Sequence, residues 1–577
     1  MYQETDFKNT MLELENEHNV PIVKTYDFIV VGGGSAGSVL AGRLSERFDV
    51  LLLEAGGTPP PAVDVPLFAS VISQSPSINY DFTSVPQTNA SLCRNGIIRK
   101  TTGKMLGGSG SHNVMIHSRG SPKDYDNWAS LLNDDSFNYT NVLKYFRRME
   151  TFIGYKFGDE GDEYYGNDGP IVVDTHIIPM LDLWLLAGQE LGYPTGDSNG
   201  FQRESFAPFN IAVNNGRRSS SYAEYIRPHE ELRSTLTVHR YANVSQILLN
   251  DKREAYGVTY IRNRFPQMAL ARNEIILSAG AFSSPLLLMK SGIGPESILN
   301  EAEIPVKVPL EAVGKHLQDH TMFPLFGFST NDSSAFQKID SSEIEKIMTD
   351  FHNGKGPLTT TGVGCHSFIV SSKADPHWPN FRIDLTVGML AQLAETKPTV
   401  GFIVVLSRPK SIGSLTMDTD KYRAGIRDDE QLAIIDYNIL THPDDIDVIL
   451  EGIRLVFNII ETQAFRSINV TFIGQPDPAC NQFKFLSDDY WKCKIQQDGN
   501  SWTHMAGTCS LGPDTGHSNT SVVDTKFRVR GVSNLRVIDA SVIPEITNSN
   551  VNAPIMMLAE KAAEEIMNSY SDPNGTG

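Results

Sequence analysis

The stretch Tyr26-Asp27-Phe28-Ile29-Val30-Val31-Gly32-Gly33-Gly34-Ser35-Ala36-Gly37, with Glu54 seventeen residues further on, constrains this chain more than any other feature. Phe28 to Val31 is a short apolar run suited to a buried parallel strand. Val39, Leu40 and Leu44 then recur at helical spacing, and Val50 to Leu53 is a second buried strand. Strand, glycine turn, helix, strand and terminal acid are the parts of a dinucleotide-binding βαβ unit. Gly32 permits the sharp turn, Gly34 lets the backbone approach a pyrophosphate, and Gly37 lets helix and strand pack closely. Ser35 and Ala36 open a helix whose N–H groups favour phosphate, and Glu54, followed by Ala55, can accept hydrogen bonds from ribose hydroxyls. The glycine spacing alone is weak in a chain with 46 glycines, and its context makes it specific.

A length of 577 residues exceeds one core and predicts at least two domains. The net charge of −19 argues against nucleic acid or an anionic membrane as partner. No apolar run reaches the ~20 residues of a membrane span, and the polar, acidic N-terminus carries no signal-peptide pattern. Cys480 and Cys493 lie thirteen apart in a polar, loop-like region and either close a disulfide or stay as two thiols. Sequons at Asn89, Asn138, Asn243, Asn331, Asn469, Asn519 and Asn574 favour a secreted, glycosylated protein.

Strands are expected over Thr235–Leu249, Ala255–Tyr260 and Glu274–Ser278, then a helix over Ser283–Lys290. Residues from about 320 to 500 alternate strand-like runs such as Ile383–Val387 and Val400–Leu406 with amphipathic helices such as Asp444–Thr462. The chain returns to a short strand at Leu535–Ile538 and a helix over Pro554–Met567.

Four further segments follow the fingerprint in order. They are Gly103-Lys104-Met105-Leu106-Gly107-Gly108-Ser109-Gly110-Ser111-His112-Asn113; Gly280-Ala281-Phe282-Ser283-Ser284-Pro285 through Gly294-Pro295; Val313-Gly314-Lys315-His316-Leu317-Gln318-Asp319-His320; and His504-Met505-Ala506-Gly507-Thr508-Cys509. With them the chain resembles the glucose–methanol–choline (GMC) family of flavin oxidoreductases from about residue 25 to 567. The resemblance implies FAD and an α/β fold (α+β overall), in which a Rossmann-like FAD-binding domain carries a discontinuous substrate-binding domain built on an antiparallel sheet. It assigns residues 22–172, 223–318 and 503–570 to the first domain, 173–222 and 319–502 to the second, and 1–21 to an N-terminal extension.

The resemblance also places the chemistry, oxidation of a small-molecule alcohol with O2 as the expected acceptor. His504 occupies the family's catalytic histidine position, although Met505 stands where proline is usual. Removing a hydroxyl proton needs a group that titrates near neutrality, which an imidazole supplies. Asn550 falls at the second catalytic position, where an amide can steady a forming alkoxide, with Asn552 as its replacement or as a group at the flavin edge. Gly107, Ser109 and Asn113 belong to the flavin-facing motif, Val244 borders the adenine, and Asp539-Ala540 approaches the pyrophosphate. Gln318-Asp319-His320 reads as structural, at a domain junction. His112 stands where most relatives have Ile or Leu. In choline-oxidising members a histidine there is bonded covalently to the flavin, and here bonded and packed states are both open. Met322 matches a glutamate of those members, which argues against a cationic substrate and for an uncharged, apolar alcohol; arthropod members of the family act on aromatic alcohols, cyanohydrins, sugars and ecdysteroids, and an aromatic alcohol or cyanohydrin is the expected substrate. A hydroxynitrile lyase with a structural flavin, a sugar or steroid dehydrogenase using another acceptor, and a flavin-free carrier are the competing readings.

Overall fold

The computed structural model describes residues 2–16, 23–156, 161–332, 341–361, 363–387, 399–515, 517 and 519–570. Lys24–Val31 forms a strand whose last four residues are buried, because each faces helices on both sides of a parallel sheet. It pairs in parallel with Val50–Leu53 on one side and Phe265–Leu277 on the other. Leu236–His239 extends the sheet beyond Val50–Leu53, also in parallel, and Leu535–Val537 pairs in parallel with Phe265–Leu277. The antiparallel strands Ala255–Arg262 and Ala242–Leu249 complete the seven-stranded sheet. Segments far apart in sequence therefore meet in one sheet, with the Ser35–Leu44 and Asn552–Ser569 helices packed on each other against it.

A second seven-stranded sheet is antiparallel throughout. Its order is Thr471–Phe472, Thr321–Ser329, Thr399–Leu406, Phe381–Val387, Val363–Ile369 and Ser205–Pro208, with Asn500–Ser501 paired to Thr321–Ser329. The Pro443–Ile460 helix covers its inner face through an apolar stripe including Val448, Ile449, Ile453 and Val456. One continuous apolar core runs beneath both sheets.

Several elements depart from the sequence expectations. Residues 236–249 form two strands, since Tyr241 adopts a left-handed conformation (φ 51°) that breaks the run. The Ile171–Thr175 strand crosses the boundary expected at residue 172 and pairs with both Glu150–Phe152 and Asn210–Asn214. Within the expected N-terminal extension, Tyr2–Asn16 is helical and docked: Asp6 accepts from the Thr58 backbone at 3.0 Å and from the Tyr241 hydroxyl at 2.6 Å. Cys480 and Cys493 are joined in a disulfide. Of the sequons, Asn574 lies outside the described residues, whereas Asn243, Asn331, Asn469 and Asn519 are exposed. No helix among the described residues is long and apolar enough to cross a membrane.

Candidate active site

A cavity of about 1210 Å³, counted with its open mouth, lies at the carboxyl ends of the parallel strands. Gly32, Gly34, Ser35 and Ala36 line it from the first turn, Glu54 and Ala55 from the second strand, and Val244 from a later one. Gly32 sits at φ +99°, and a Cβ there would stand 2.4 Å from the Ser278 carbonyl oxygen. At Gly37 a Cβ would meet the Gly32 carbonyl oxygen at 1.9 Å, so this glycine shapes the turn without lining the cavity. A Cβ at Gly34 would find nothing closer than the Gly108 Cα at 3.9 Å. That glycine leaves open cavity rather than avoiding protein.

Glu54 is buried, and its two oxygens accept from the Gly33 and Gly56 backbone N–H groups, each at 2.8 Å. Burial pushes its carboxyl up to about 7, with those N–H groups pulling the other way. Three helix N-termini converge on the cavity: Ser35–Leu44, Gly280–Lys290 and Asn552–Ser569 contribute Ser35, Gly280 and Ile555 to its lining. Their unpaired N–H groups make it a site for a pyrophosphate. The residues present fit a dinucleotide: a glycine cradle, an acid at the second strand and positive helix ends in one cleft.

At the other end stands His504, half-buried and lining the cavity. Its Nδ1 is 2.8 Å from His320 Nδ1, and its Nε2 is 3.1 Å from Asn550 Nδ2. The tautomers follow from the partners. His320 Nε2 lies 2.8 Å from the Thr547 carbonyl oxygen, which can only accept, so that nitrogen carries the proton of a neutral ring. His320 Nδ1 is then an acceptor, His504 Nδ1–H donates to it, and His504 Nε2 keeps its lone pair. Burial holds His320 down to about 3 and, with His320, Arg382 and Lys100 adding to it, holds His504 well below 6.5. Both rings are neutral at physiological pH. A base with its lone pair turned toward an amide donor can take a hydroxyl proton while the amide steadies the oxygen.

Residues 26–322 and 409–559 match the two GMC oxidoreductase profiles. The chain belongs to the GMC oxidoreductase family. It is 31% identical to the glucose dehydrogenase [FAD, quinone] of Drosophila melanogaster over 93% of this chain and 86% of that one. It is 33% identical to the ecdysone oxidase of Bombyx mori over 95% and 82%. Formate oxidase shares the fold at a TM-score of 0.83 and 24% identity, covering 95% of this chain and 99% of that one. This is therefore an FAD-dependent GMC enzyme acting on CH–OH donors, with the Rossmann-like and antiparallel sheets of that fold.

The other residues singled out in the GMC motifs fall in several places. Ser109, Asp539 and Ala540 line the cavity. The Asp539 carboxylate is already committed, accepting from the Gly280 N–H at 2.8 Å and the Ser284 hydroxyl at 2.6 Å. It therefore shapes the loop. Gly107, at φ +82°, donates its N–H to the Gly33 carbonyl at 2.7 Å, locking the two glycine loops together while Gly108 faces the cavity. Asn113 accepts from Arg218 at 2.8 Å and the Met115 N–H at 2.9 Å, away from the cavity lining. Asn552 Oδ1 accepts from the Ser35 hydroxyl at 2.6 Å, tying two of the helix N-termini together, and Asn550 is the amide at His504. His112 is buried and is not a lining residue; its Nδ1 meets Asn79 Oδ1, and burial, with Arg218 adding to it, brings its ring down to about 3. Met322 is half-buried on its strand, opposite Val405 and Asn500, and does not line the cavity.

The structural reading of Gln318-Asp319-His320 needs correction at its last residue. Gln318 and Asp319 do hold the loop: the Gln318 backbone exchanges two hydrogen bonds with Ala506, and Asp319 accepts from the His504 N–H at 2.8 Å. His320, though, is the ring that sets the His504 tautomer. Its place in a GMC motif was the available signal. No motif contains Arg382 or Asp384; the signal for them in the sequence is a pair of charges at alternate positions of an otherwise apolar strand. His117 Nε2 lies 3.1 Å from a carboxylate oxygen of buried Glu150.

Proposed function

We propose that this enzyme oxidises an uncharged alcohol, aromatic or cyanohydrin, with His504 as base, Asn550 as oxygen-stabilising donor and O2 as acceptor. The observation that carries the proposal is the His504 Nε2 lone pair facing the Asn550 amide nitrogen at 3.1 Å beside the cavity. FAD, when bound, supplies the two-electron acceptor. His504 takes the hydroxyl proton at Nε2, and the Asn550 N–H donates to the substrate oxygen as negative charge grows there. His320 Nδ1 continues to accept from His504 Nδ1–H, which holds the ring in place as the proton arrives at Nε2. The proton retained on His504 puts positive charge at the cavity, a condition that assists electron transfer to O2.

Met322, Val405 and Arg382 stand side by side across three strands, so the position matched to the glutamate of choline-oxidising members carries no carboxylate. Retention of FAD through a bond from His112 Nε2 to a flavin carbon is also part of the proposal; the bond would replace a C–H bond, with the two electrons released passing to O2 together with the C–H and Nδ1–H protons. Asn79 Nδ2 donates to the Ile72 and Ser75 carbonyls at 3.0 and 2.8 Å, so its oxygen accepts from His112 Nδ1–H, leaving Nε2 with a lone pair. Yellow colour in an acid-denatured pellet, and an FAD adduct on the His112 peptide by mass spectrometry, are expected. Colour confined to the supernatant refutes the bond.

The names of the two insect relatives point to sugar or ecdysteroid alcohols, and to a quinone acceptor, as alternatives. The deciding experiment is anaerobic mixing of the FAD-loaded enzyme with panels of aromatic, cyanohydrin, sugar and steroid alcohols while the visible flavin band is followed. Air or a quinone is then admitted. Bleaching by aromatic alcohols or cyanohydrins and rapid recovery in air are expected. Release of HCN from a cyanohydrin with an unbleached band would replace the oxidase reading with a lyase.

A further inference from the structure

On the Phe381–Val387 strand, Phe381, Ile383 and Leu385 face the apolar core, while Arg382 and Asp384 project from the opposite face, both fully buried. Arg382 Nε lies 3.1 Å from Asp384 Oδ1, and Arg382 Nη1 donates to Asn550 Oδ1 at 2.7 Å. The contact is an ion pair without hydrogen-bond geometry: Arg382 Nε and Nη2 and both Asp384 oxygens have no hydrogen-bond partner among the described residues. A buried pair of this kind is a poor source of stability compared with apolar residues of the same volume. Its contact with Asn550 suggests what it does instead.

An amide can be turned end for end with little change in shape, so only its partners decide which end is oxygen. Arginine has donors and no acceptor, so the Asn550 atom facing it is the oxygen. The amide nitrogen is thereby turned to His504 Nε2. In the reverse orientation the carbonyl would face Nε2 and favour a proton there, moving the imidazole to the tautomer that has no lone pair at the cavity.

We propose that Arg382, braced by Asp384, is the positioning residue that fixes the Asn550 amide with its nitrogen toward His504 and so keeps the Nε2 lone pair available. This rests on the reading of His504 as base. The guanidinium also acts through its charge. The groups acting on the His504 ring are Arg382 and His320 from the antiparallel sheet and its approach, and Lys100 from the Arg99–Gly103 strand, all opposing protonation. Asp319, which accepts from the His504 backbone N–H, is the carboxylate beside them.

The test uses the FAD-loaded enzyme with Arg382→Met, Arg382→Lys and Asp384→Asn. Flavin reduction is measured against pH, and ¹⁵N imidazole NMR of His504 is assigned with His504→Gln. Arg382→Met is expected to lower the reduction rate constant on the order of 30- to 100-fold with KM within about threefold. It should also raise the pH of the acid limb by about one unit and abolish the single Nδ1–H tautomer in the ¹⁵N spectrum. Arg382→Lys keeps the acid limb where it is, since the charge remains, but recovers only part of the rate, because an ammonium lacks the planar fork. Asp384→Asn should fall between wild type and Arg382→Met. If Arg382→Met loses flavin content and thermal stability alone, with rate per bound flavin, acid limb and tautomer unchanged, the pair is structural and the proposal is overturned. Should Arg382→Met not fold, an Arg382→Lys enzyme with wild-type rate and tautomer overturns it equally. A wild-type enzyme that no alcohol reduces, together with loss of the tautomer in Arg382→Met, would instead sink the assignment of His504 as base and leave the positioning intact.

Discussion

At the scale of single residues, the site is a relay of assigned protons running from the Thr547 carbonyl through His320 and His504 to Asn550. His504→Ala should leave FAD bound and slow anaerobic flavin reduction on the order of 10²-fold or more, as for loss of a positioned acid–base group. Asn550→Ala should cost less, since the imidazole still takes the proton. His320→Ala should lower the rate by roughly tenfold, because either nitrogen of His504 can then carry the proton. Near-full rate in stopped-flow measurements on His504→Ala would remove it from the mechanism. The pH dependence has a definite sign. The neutral base is the active form, and burial with neighbouring charge lowers the His504 pKa well below 6.5. Reduction should therefore stay flat as pH falls through 6.5 and decline only further down; a midpoint at or above 6.5 contradicts this environment.

At the scale of elements, two glycines of one turn do different work, and substitution separates them. Gly37→Ala drives a methyl into the Gly32 carbonyl oxygen at 1.9 Å, so the turn must open. A destabilisation of roughly 3 kcal/mol is expected, by denaturant unfolding, even without cofactor. Gly34→Val meets no protein atom closer than 3.9 Å at its Cβ and should leave apoprotein stability nearly unchanged. The same change fills the cradle between helix and cofactor, so FAD affinity should fall by an order of magnitude or more in a flavin-fluorescence titration. Equal losses of stability in both variants would show that the turn, not the cavity, requires Gly34. Much of this was legible in sequence, because a βαβ turn is local: strand, glycines, helix and acid lie within thirty residues of one another. The Tyr2–Asn16 helix was not legible, since its polar sequence has weak apolar periodicity and its docking depends on Tyr241, Thr58 and Asn263 from elsewhere.

At the scale of the whole molecule, the Cys480–Cys493 disulfide closes a loop at the edge of the antiparallel sheet, where Trp491 packs edge-on to Phe323 and beside Phe457. Replacing both cysteines by serine should lower the stability of that region by about 3 kcal/mol on chain-entropy grounds, read as an earlier calorimetric transition. We propose an oxidising, secretory route for this chain, on the strength of this bond and the sequons. Expression through that route should add glycan at exposed Asn331, Asn469 or Asn519, seen as an endoglycosidase-sensitive mass. An unglycosylated product whose two cysteines alkylate without reduction would overturn it.

The sequence by itself determined the dinucleotide turn and the family, and through the family's motifs it pointed to His504 and Asn550, because those motifs are runs of contiguous residues. Only the tertiary structure decided which atoms of those residues face one another. His320, Arg382 and Asn550 lie 62 and 168 residues apart in succession, just before one strand, near the start of another and in a loop. No local pattern records that an arginine will pin one amide oxygen or that a carbonyl will set two imidazole tautomers. Proton positions in a buried site depend on the partners that folding brings within about 3 Å, and a hydrogen bond falls off too steeply with distance and angle to be inferred from residue type.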